Sequence, residues 1–330
     1  MTTRSHRPWL TRGGGLVLLL ALVGSMAPAA AQQGLDDAEV RVLPVQGNVY
    51  MLVGAGGNIA VQAGPEGVLF VDTSFAPLSD KILAAVRTIS NRPVRYIVNT
   101  HVHPDHIGGN EALARAGRTI AGGNVVGDLG ADAFGTAAII AHESVLARMS
   151  AARPAIPTVA LPTDTYFTAK KELFFNGEAI EVLHQPAAHT DGDSLVFFRR
   201  SDVLVAGDVF VTTGYPVIDR ERGGSINGVI AALNRILDIT IPGDKQEGGT
   251  MVIPGHGRLC DEADVVEYRD MVTIIRDRVQ DMVKRGMTLA EVKAARPTRE
   301  YDRRYGGAPS GLWTSDMFVE AVYRDLGGTR

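Results

Sequence analysis

Residues 101–109 read His101-Val102-His103-Pro104-Asp105-His106-Ile107-Gly108-Gly109, and this run decides how the rest of the chain is read. Three imidazoles and a carboxylate fall within six positions, although the whole chain carries only 8 histidines. A strand cannot aim all four groups at one point, because its side chains alternate between faces; a helix turns each one away by about 100° from the last. A loop leaving a strand can gather them. The preceding Val94-Arg95-Tyr96-Ile97-Val98-Asn99-Thr100 is β-branched and aromatic enough to be that strand. Nitrogen and oxygen donors of this kind suit zinc, and iron or manganese accept the same set. The clustering reads as a metal loop rather than a solvated turn with chance histidines.

A catalytic zinc keeps three protein ligands and one open position, so four donors in one loop point to a site shared by two metals. Further donors are expected at other strand ends. His189 lies in Pro186-Ala187-Ala188-His189-Thr190-Asp191-Gly192-Asp193, after the apolar run Ala179-Ile180-Glu181-Val182-Leu183. Asp208 ends Val203-Leu204-Val205-Ala206-Gly207-Asp208, and His256 sits in Val252-Ile253-Pro254-Gly255-His256-Gly257. Singly, such an Asp is often a helix N-cap, and a His in a Gly turn is often only a hydrogen-bonding residue. Together, all at strand-to-loop switches, they form a set. The remaining histidines read as structural: His184 packed in or just after a strand, His142 bonded to a nearby backbone group, and His6 ahead of the mature chain.

These motifs, with the early strand Gly64-Pro65-Glu66-Gly67-Val68-Leu69-Phe70-Val71-Asp72-Thr73, resemble those of the metallo-β-lactamase superfamily over about residues 40–260. The resemblance implies an α/β fold, a four-layer αβ/βα sandwich with metals at one edge between two sheets. It implies that His101, His103 and His189 hold one metal, that Asp105, His106 and His256 hold a second, and that Asp208 bridges them. Two Zn2+ per chain are expected, with iron or manganese as alternatives. The implied chemistry is hydrolysis of an ester, lactone, thioester or amide, in which hydroxide shared by the metals attacks the carbonyl and Asp105 orients it and helps move its proton. Asp72 would orient the metal loop or cap a helix, and Asp193 would stand behind the ligands in the same supporting way. Tyr215 and Asn227, a short way past Asp208, are candidate oxyanion helpers, with a structural role as the alternative for each.

One large group of β-lactamases in the family has Cys where this chain has Asp208 and Lys where it has Val211; another group lacks the bridging Asp. The pattern here looks more like glyoxalase II and the lactonases. Three alternatives stay open: a β-lactamase, an iron dioxygenase acting on persulfides, and a non-catalytic metal-dependent binding protein. The complete two-metal ligand set counts against the second, and an intact Asp105 counts against the third.

Residues 1–31 read as a secretory leader, with basic Arg4, Arg7 and Arg12, an apolar run over residues 16–23 and a small-residue cut after Ala31. That run is too short to span a bilayer, so a periplasmic or secreted protein with no stable membrane anchor is expected. The net charge is −4, and loss of three leader arginines would leave the chain more acidic. That argues against nucleic acid as partner and for a small-molecule substrate. Cys260 is the only cysteine, which excludes an intrachain disulfide and reads as a packed thiol.

Residues 32–260 make the expected catalytic domain. Strands are expected over residues 40–43, 49–53, 58–63 and 68–72, with helices over 78–89 and 111–116. Past a stretch broken by Gly122, Gly123, Gly127 and Gly130, residues 136–150 read as helical. Residues 152–162 read as an extended loop and substrate wall, and 209–224 as irregular. Residues 261–330 make a helical extension. Val265, Tyr268, Val272, Ile275, Val279 and Met282 recur at helical spacing up to Gly286. Thr288 and Glu291 form a capping box, and residues 313–326 a last amphipathic helix. These stripes would pack on the domain or cover the pocket, a dimer contact being the alternative.

Overall fold

The computed structural model describes residue 35 and residues 37–118, 135–307 and 313–329. The leader and the glycines at 122–130 lie outside the described residues. Seven strands form one sheet in chain order: β1 (Arg41–Gln46), β2 (Val49–Val53), β3 (Ile59–Gly64), β4 (Gly67–Val71), β5 (Val94–Val98), β6 (Ala138–His142) and β7 (Asp164–Tyr166). The first four pair antiparallel, and β4 to β7 run parallel. A second sheet contains β8 (Lys170–Phe175), β9 (Glu178–Gln185), β10 (Asp193–Phe198), β11 (Val203–Gly207) and β12 (Met251–Pro254), with only β11 and β12 parallel.

Side-chain alternation builds the layers. All five residues of β4 are buried. Its Leu69 and Val71 face the second sheet, meeting Ile180, Val182, Val196, Phe198 and Val205, while Val68 and Phe70 face helices. Those helices are α1 (Ser79–Arg87) and, after the short α2 (Pro104–Ile107), α3 (Asn110–Arg115). They contribute Ile82, Val86, Leu113 and Ala114. Next comes α4 (Glu143–Ala151). The outer face of the second sheet is covered by α5 (Ile226–Ile239), α6 (Glu262–Lys284) and, beyond α7 (Leu289–Ala295) and α8 (Asp302–Tyr305), α9 (Ser315–Asp325). The result is the αβ/βα sandwich, with the C-terminal helices packed against the second sheet. Each fully buried Leu, Ile or Phe contributes roughly 1.5–3 kcal/mol by leaving water, so the three interlayer cores dominate folding.

Two expectations change. Residues 136–150 are not one helix: Ala138–His142 is a strand parallel to β5, and only Glu143–Ala151 is helical. An apolar run buried between sheet and helices satisfies either structure locally, and pairing with Tyr96, Ile97 and Val98 decides it. The last helix begins at Ser315, capped by Thr314, whose hydroxyl accepts from Met317 N. The α6 and α7 capping residues are Asp261 and Thr288, the latter in the expected box with Glu291.

Strands β4, β5, β9, β11 and β12 deliver their C-terminal ends to one edge. There the sheets are stitched together: Ser194 N donates to Thr100 O at 2.9 Å, and Asn58 N to Gly255 O at 2.8 Å.

Candidate metal centre

Each donor follows the end of a strand at that edge. His101 comes after β5, His189 after β9, Asp208 directly after β11, and His256 two residues past β12. His103 caps the one-turn α2, which carries Asp105 and His106. Burying a loop this polar requires that its backbone groups be bonded, and His106 N and Ile107 N donate back to His103 O. Glycine is required where the backbone approaches the donors: a Cβ on Gly57 would lie 2.6 Å from the His106 ring, and one on Gly255 would collide with Asp208 Oδ1.

The seven side chains converge in two groups, His101, His103, His189 and Asp208 in one, Asp105, His106 and His256 in the other, with donor atoms in each group within 4.8 Å of one another. Asp208 lies between the groups. Its Oδ1 is 3.2 Å from His106 Nε2 and 3.4 Å from His256 Nε2, while Oδ2 is 4.0 Å from His101 Nε2 and 3.8 Å from His189 Nε2. His103 turns its Nδ1 inward, 2.8 Å from His189 Nε2. Buried polar atoms without partners are costly, and both His101 Nε2 and Asp208 Oδ1 are buried without a hydrogen bond. Imidazole nitrogens crowded around carboxylates, with inward atoms unsatisfied, fit divalent cations of the zinc type.

The outward nitrogens are held in place, which fixes tautomer and ring orientation. His106 Nδ1 is 2.8 Å from Asp72 Oδ2. Thr100 donates N–H and O–H to Asp72 at 2.7 Å each, and its Oγ1 lies 3.0 Å from His101 Nδ1. Asp72 therefore steadies the metal loop rather than capping a helix. It does so with φ of 65°, a strained left-handed backbone of the kind retained at functional sites. His189 Nδ1 is 2.7 Å from Val217 O. His103 Nε2 is 2.8 Å from Asp219 Oδ2, and Arg222 holds the same oxygen at 2.6 Å. Burial opposes ionisation of Asp219, but His103 and Arg222 keep its carboxyl well below the usual carboxylate range.

Charge divides the centre. Burial pushes the His101 pKa well below the usual imidazole range and that of His189 down to about 4. Burial also opposes the charge on His106 and His256, but Asp208 with Asp72, and Asp208 with Asp105, outweigh it, raising His106 well above its usual value and His256 to about 9. Asp208 is held ionised against burial by the charges of His106 and His256. Asp105 is likewise lowered, its burial outweighed by His256 and His106.

A cavity of about 280 Å³ opens on the centre, lined by His103, Asp105, His189, Asp208 and His256, with Val211, Val217, Tyr215 and Trp313 among its other walls. The irregular residues 209–224 thus supply much of the wall. The expected wall, residues 152–162, contributes nothing to the lining; Ala160 O instead accepts from Asn110 Nδ2 at 3.0 Å.

Of the supporting residues read from sequence, Asp193 is buried and accepts from Thr190 N and Oγ1 at 2.7 Å each, fixing the turn next to His189. Burial raises its pKa to about 8. Tyr215 lines the cavity, but its hydroxyl donates to Thr298 O at 3.2 Å and lies 3.1 Å from Asp302 Oδ1, so it is engaged with the C-terminal helices and not free to stabilise an oxyanion. Asn227 is not at the site. Ile226, Val229, Ile230, Leu233 and Ile236 form the buried stripe of α5, and Asn227, off that stripe, accepts from Arg276 at the surface. His142 accepts from Ser144 N at 3.3 Å and stacks on His184 at 3.6 Å. Cys260 is buried, its thiol pKa pushed up to about 12 by burial. Asp219 and Val217 O are absent from the sequence reading, and Trp313 enters it only as the start of the last amphipathic helix; only an acidic residue within the irregular segment hinted at Asp219.

Comparison with known proteins agrees with this geometry. Residues 42–256 match the family described as the Metallo-beta-lactamase superfamily. A linear primary-alkylsulfatase from Pseudomonas sp. (strain ATCC 19151) is 25% identical over 260 residues, covering 69% of this chain and 47% of that protein, so the chain spans about half the length of this curated relative. Among solved structures, the stereoselective inverting sec-alkylsulfatase Pisa1 from Pseudomonas sp. superposes with a TM-score of 0.64 at 17% identity, over 88% of this chain and 51% of that one. A metallo-beta-lactamase from Pontibacter korlensis gives a TM-score of 0.54 at 17% identity, over 71% and 99%. With a family match over more than half its length and the histidine and aspartate clusters assembled, the chain belongs to the metallo-beta-lactamase superfamily.

Proposed function

We propose that the protein is a two-zinc hydrolase that cleaves sulfate esters of apolar alcohols. The observation that carries this reading is the composition of one cavity: metal donors on its floor and Val211, Val217, Tyr215 and Trp313 on its walls. An ester with an apolar organic group suits both surfaces. The alkylsulfatase relative supports the sulfate ester as the bond. The fold likeness to the sec-alkylsulfatase covers 88% of the chain, more than residues 1–260 make up, so it runs into the C-terminal helices.

His101, His103 and His189 would hold one cation, Asp105, His106 and His256 the other, with Asp208 as ligand to both. When bound, divalent cations supply Lewis acidity, acidifying water and drawing electron density from the ester. The chain's own groups do the rest. Asp105, ionised and lining the cavity, accepts a proton from water and holds it on its carboxylate. Asp72, Thr100, Asp219 and Val217 O keep each imidazole aimed inward. The apolar walls exclude bulk water and orient the organic group. Water adds its oxygen to the substrate and the ester C–O or S–O bond breaks; Asp105 returns its proton to the leaving oxygen, and the products are alcohol and hydrogen sulfate, which ionises to sulfate.

An acyl ester is the second reading, favoured by one observation: among the described residues no Lys or Arg lines the cavity to meet an anionic substrate. The same absence counts against a β-lactamase that grips a carboxylate. Among the described residues no helix is long and apolar enough to cross a membrane, and the leader-like residues 1–31 support export to the periplasm as part of this proposal. Sulfate release from octyl or decyl sulfate, followed by ion chromatography beside acyl esters, lactones, a β-lactam and a persulfide with oxygen electrode, tests the reading. Turnover of alkyl sulfate is expected; turnover of acyl esters alone would replace it with the second reading, and persulfide-dependent oxygen uptake would overturn both.

A further inference from the structure

Among the described residues, four buried polar side-chain atoms have no hydrogen-bond partner: His101 Nε2, Asp208 Oδ1, Thr240 Oγ1 and Trp313 Nε1. The first two belong to the metal centre, and Thr240 caps the far end of α5. Trp313 belongs to the C-terminal extension, yet it lines the cavity over His103, Asp105, His189 and Asp208. An indole N–H can only donate. Native proteins rarely leave such a donor unmet unless a ligand meets it. The cavity that Trp313 lines is where a molecule carrying the missing acceptor would enter.

The segment that carries Trp313 is fixed to the cavity wall. Thr314, next in sequence, caps α9 and pairs across an isolated bridge with Gly307. Ser315 Oγ donates to Asp302 Oδ1 at 2.8 Å, and the same oxygen lies 3.1 Å from the Tyr215 hydroxyl. The Tyr215 ring stacks on Phe318 of α9, centroids 4.8 Å apart and 6° from parallel. Tyr215 lines the same cavity. A residue clamped this way is pre-organised, so little ordering cost remains when a ligand meets it.

We propose that Trp313 is a specificity-determining residue, donating its indole N–H to an oxygen of the bound ester while its ring forms a wall against the organic group. The C-terminal extension then takes part in choosing substrate rather than only bracing the second sheet. This rests on the ester-hydrolase reading above.

The chain has 2 tryptophans, and the other is Trp9. In a full-length Trp9→Phe protein, metal-loaded, emission comes from Trp313 alone. Titration with octanesulfonate, below its micelle concentration, should change that emission saturably. Trp313→Phe keeps an aromatic wall and removes the N–H; kcat/KM for octyl sulfate should fall about three- to tenfold, the worth of one net hydrogen bond. Trp313→Ala should lose more on octyl than on ethyl sulfate, because the wall contact scales with buried chain. Unchanged kcat/KM in Trp313→Phe, or flat emission at saturating octanesulfonate, would overturn the proposal. The two readings separate cleanly. Emission change without turnover of any ester keeps the Trp313 contact and ends the ester-hydrolase reading; ester turnover with flat emission does the reverse.

Discussion

In the half of the centre built from His101, His103 and His189, burial keeps His101 and His189 neutral, and the ring orientations come from Thr100, Asp219 and a backbone carbonyl. In the half built from Asp105, His106 and His256, nearby carboxylates draw protons onto both imidazoles. The same residue types thus meet a cation in opposite states. His101 and His189 are ready to ligate, since a ligating imidazole must be neutral; His106 and His256 must first release protons. Asp208 reaches both halves, so its removal should erase the difference between them.

The largest effect is therefore expected for Asp208→Ala. Metal should leave both halves, and hydrolysis should fall by on the order of a thousandfold or more, because several kcal/mol of charge stabilisation depends on the cations. Metal analysis alongside turnover checks this, and retention of two ions would remove Asp208 from its bridging role. Next come the orienting carboxylates, each worth about 10- to 100-fold in metal affinity. Asp219→Asn should weaken the first half alone. Asp72→Asn should weaken both, since Asp72 Oδ2 takes a bond from Thr100, next to His101, and lies against His106. Two-phase calorimetric titrations separate these patterns, and equal losses in both halves of Asp219→Asn would break the comparison.

A pH series sharpens it further. With the His256 pKa near 9 and that of His106 also raised, both imidazoles carry protons at neutral pH that a cation must displace. Affinity of the second half should rise at least about tenfold per unit as pH climbs toward 9. His101 and His189, both lowered by burial, carry no proton for a cation to displace at neutral pH, so affinity of the first half should rise less steeply with pH. Identical slopes would show that the halves do not differ. The smallest effect is expected for Asn227→Ala, an exposed change that should alter stability by about 0.5 kcal/mol or less and leave turnover untouched.

The convergence of the seven side chains was legible because chemistry and topology agree at each one. A His or Asp directly after an apolar run sits where a strand end meets a loop, and all such ends here face one edge. The layers were legible from the same alternation. What escaped lacks any local signature. Val217 acts through its carbonyl, which no residue type reveals. Asp219 sits in a non-repeating turn beside two arginines, where a surface ion pair is the ordinary reading. Trp313 reaches the cavity only because Tyr215, Asp302 and Ser315 tie the last helix to the wall, a contact spanning about a hundred residues. Asn227 misled for the opposite reason: closeness to Asp208 in sequence says nothing once a helix starts and turns it outward.

If the seven side chains make one two-metal site, the purified protein carries two ions. Inductively coupled plasma analysis of the purified protein after dialysis should find two divalent ions per chain, zinc foremost. A single ion per chain that stays single under excess zinc, above all a single iron, would contradict the account.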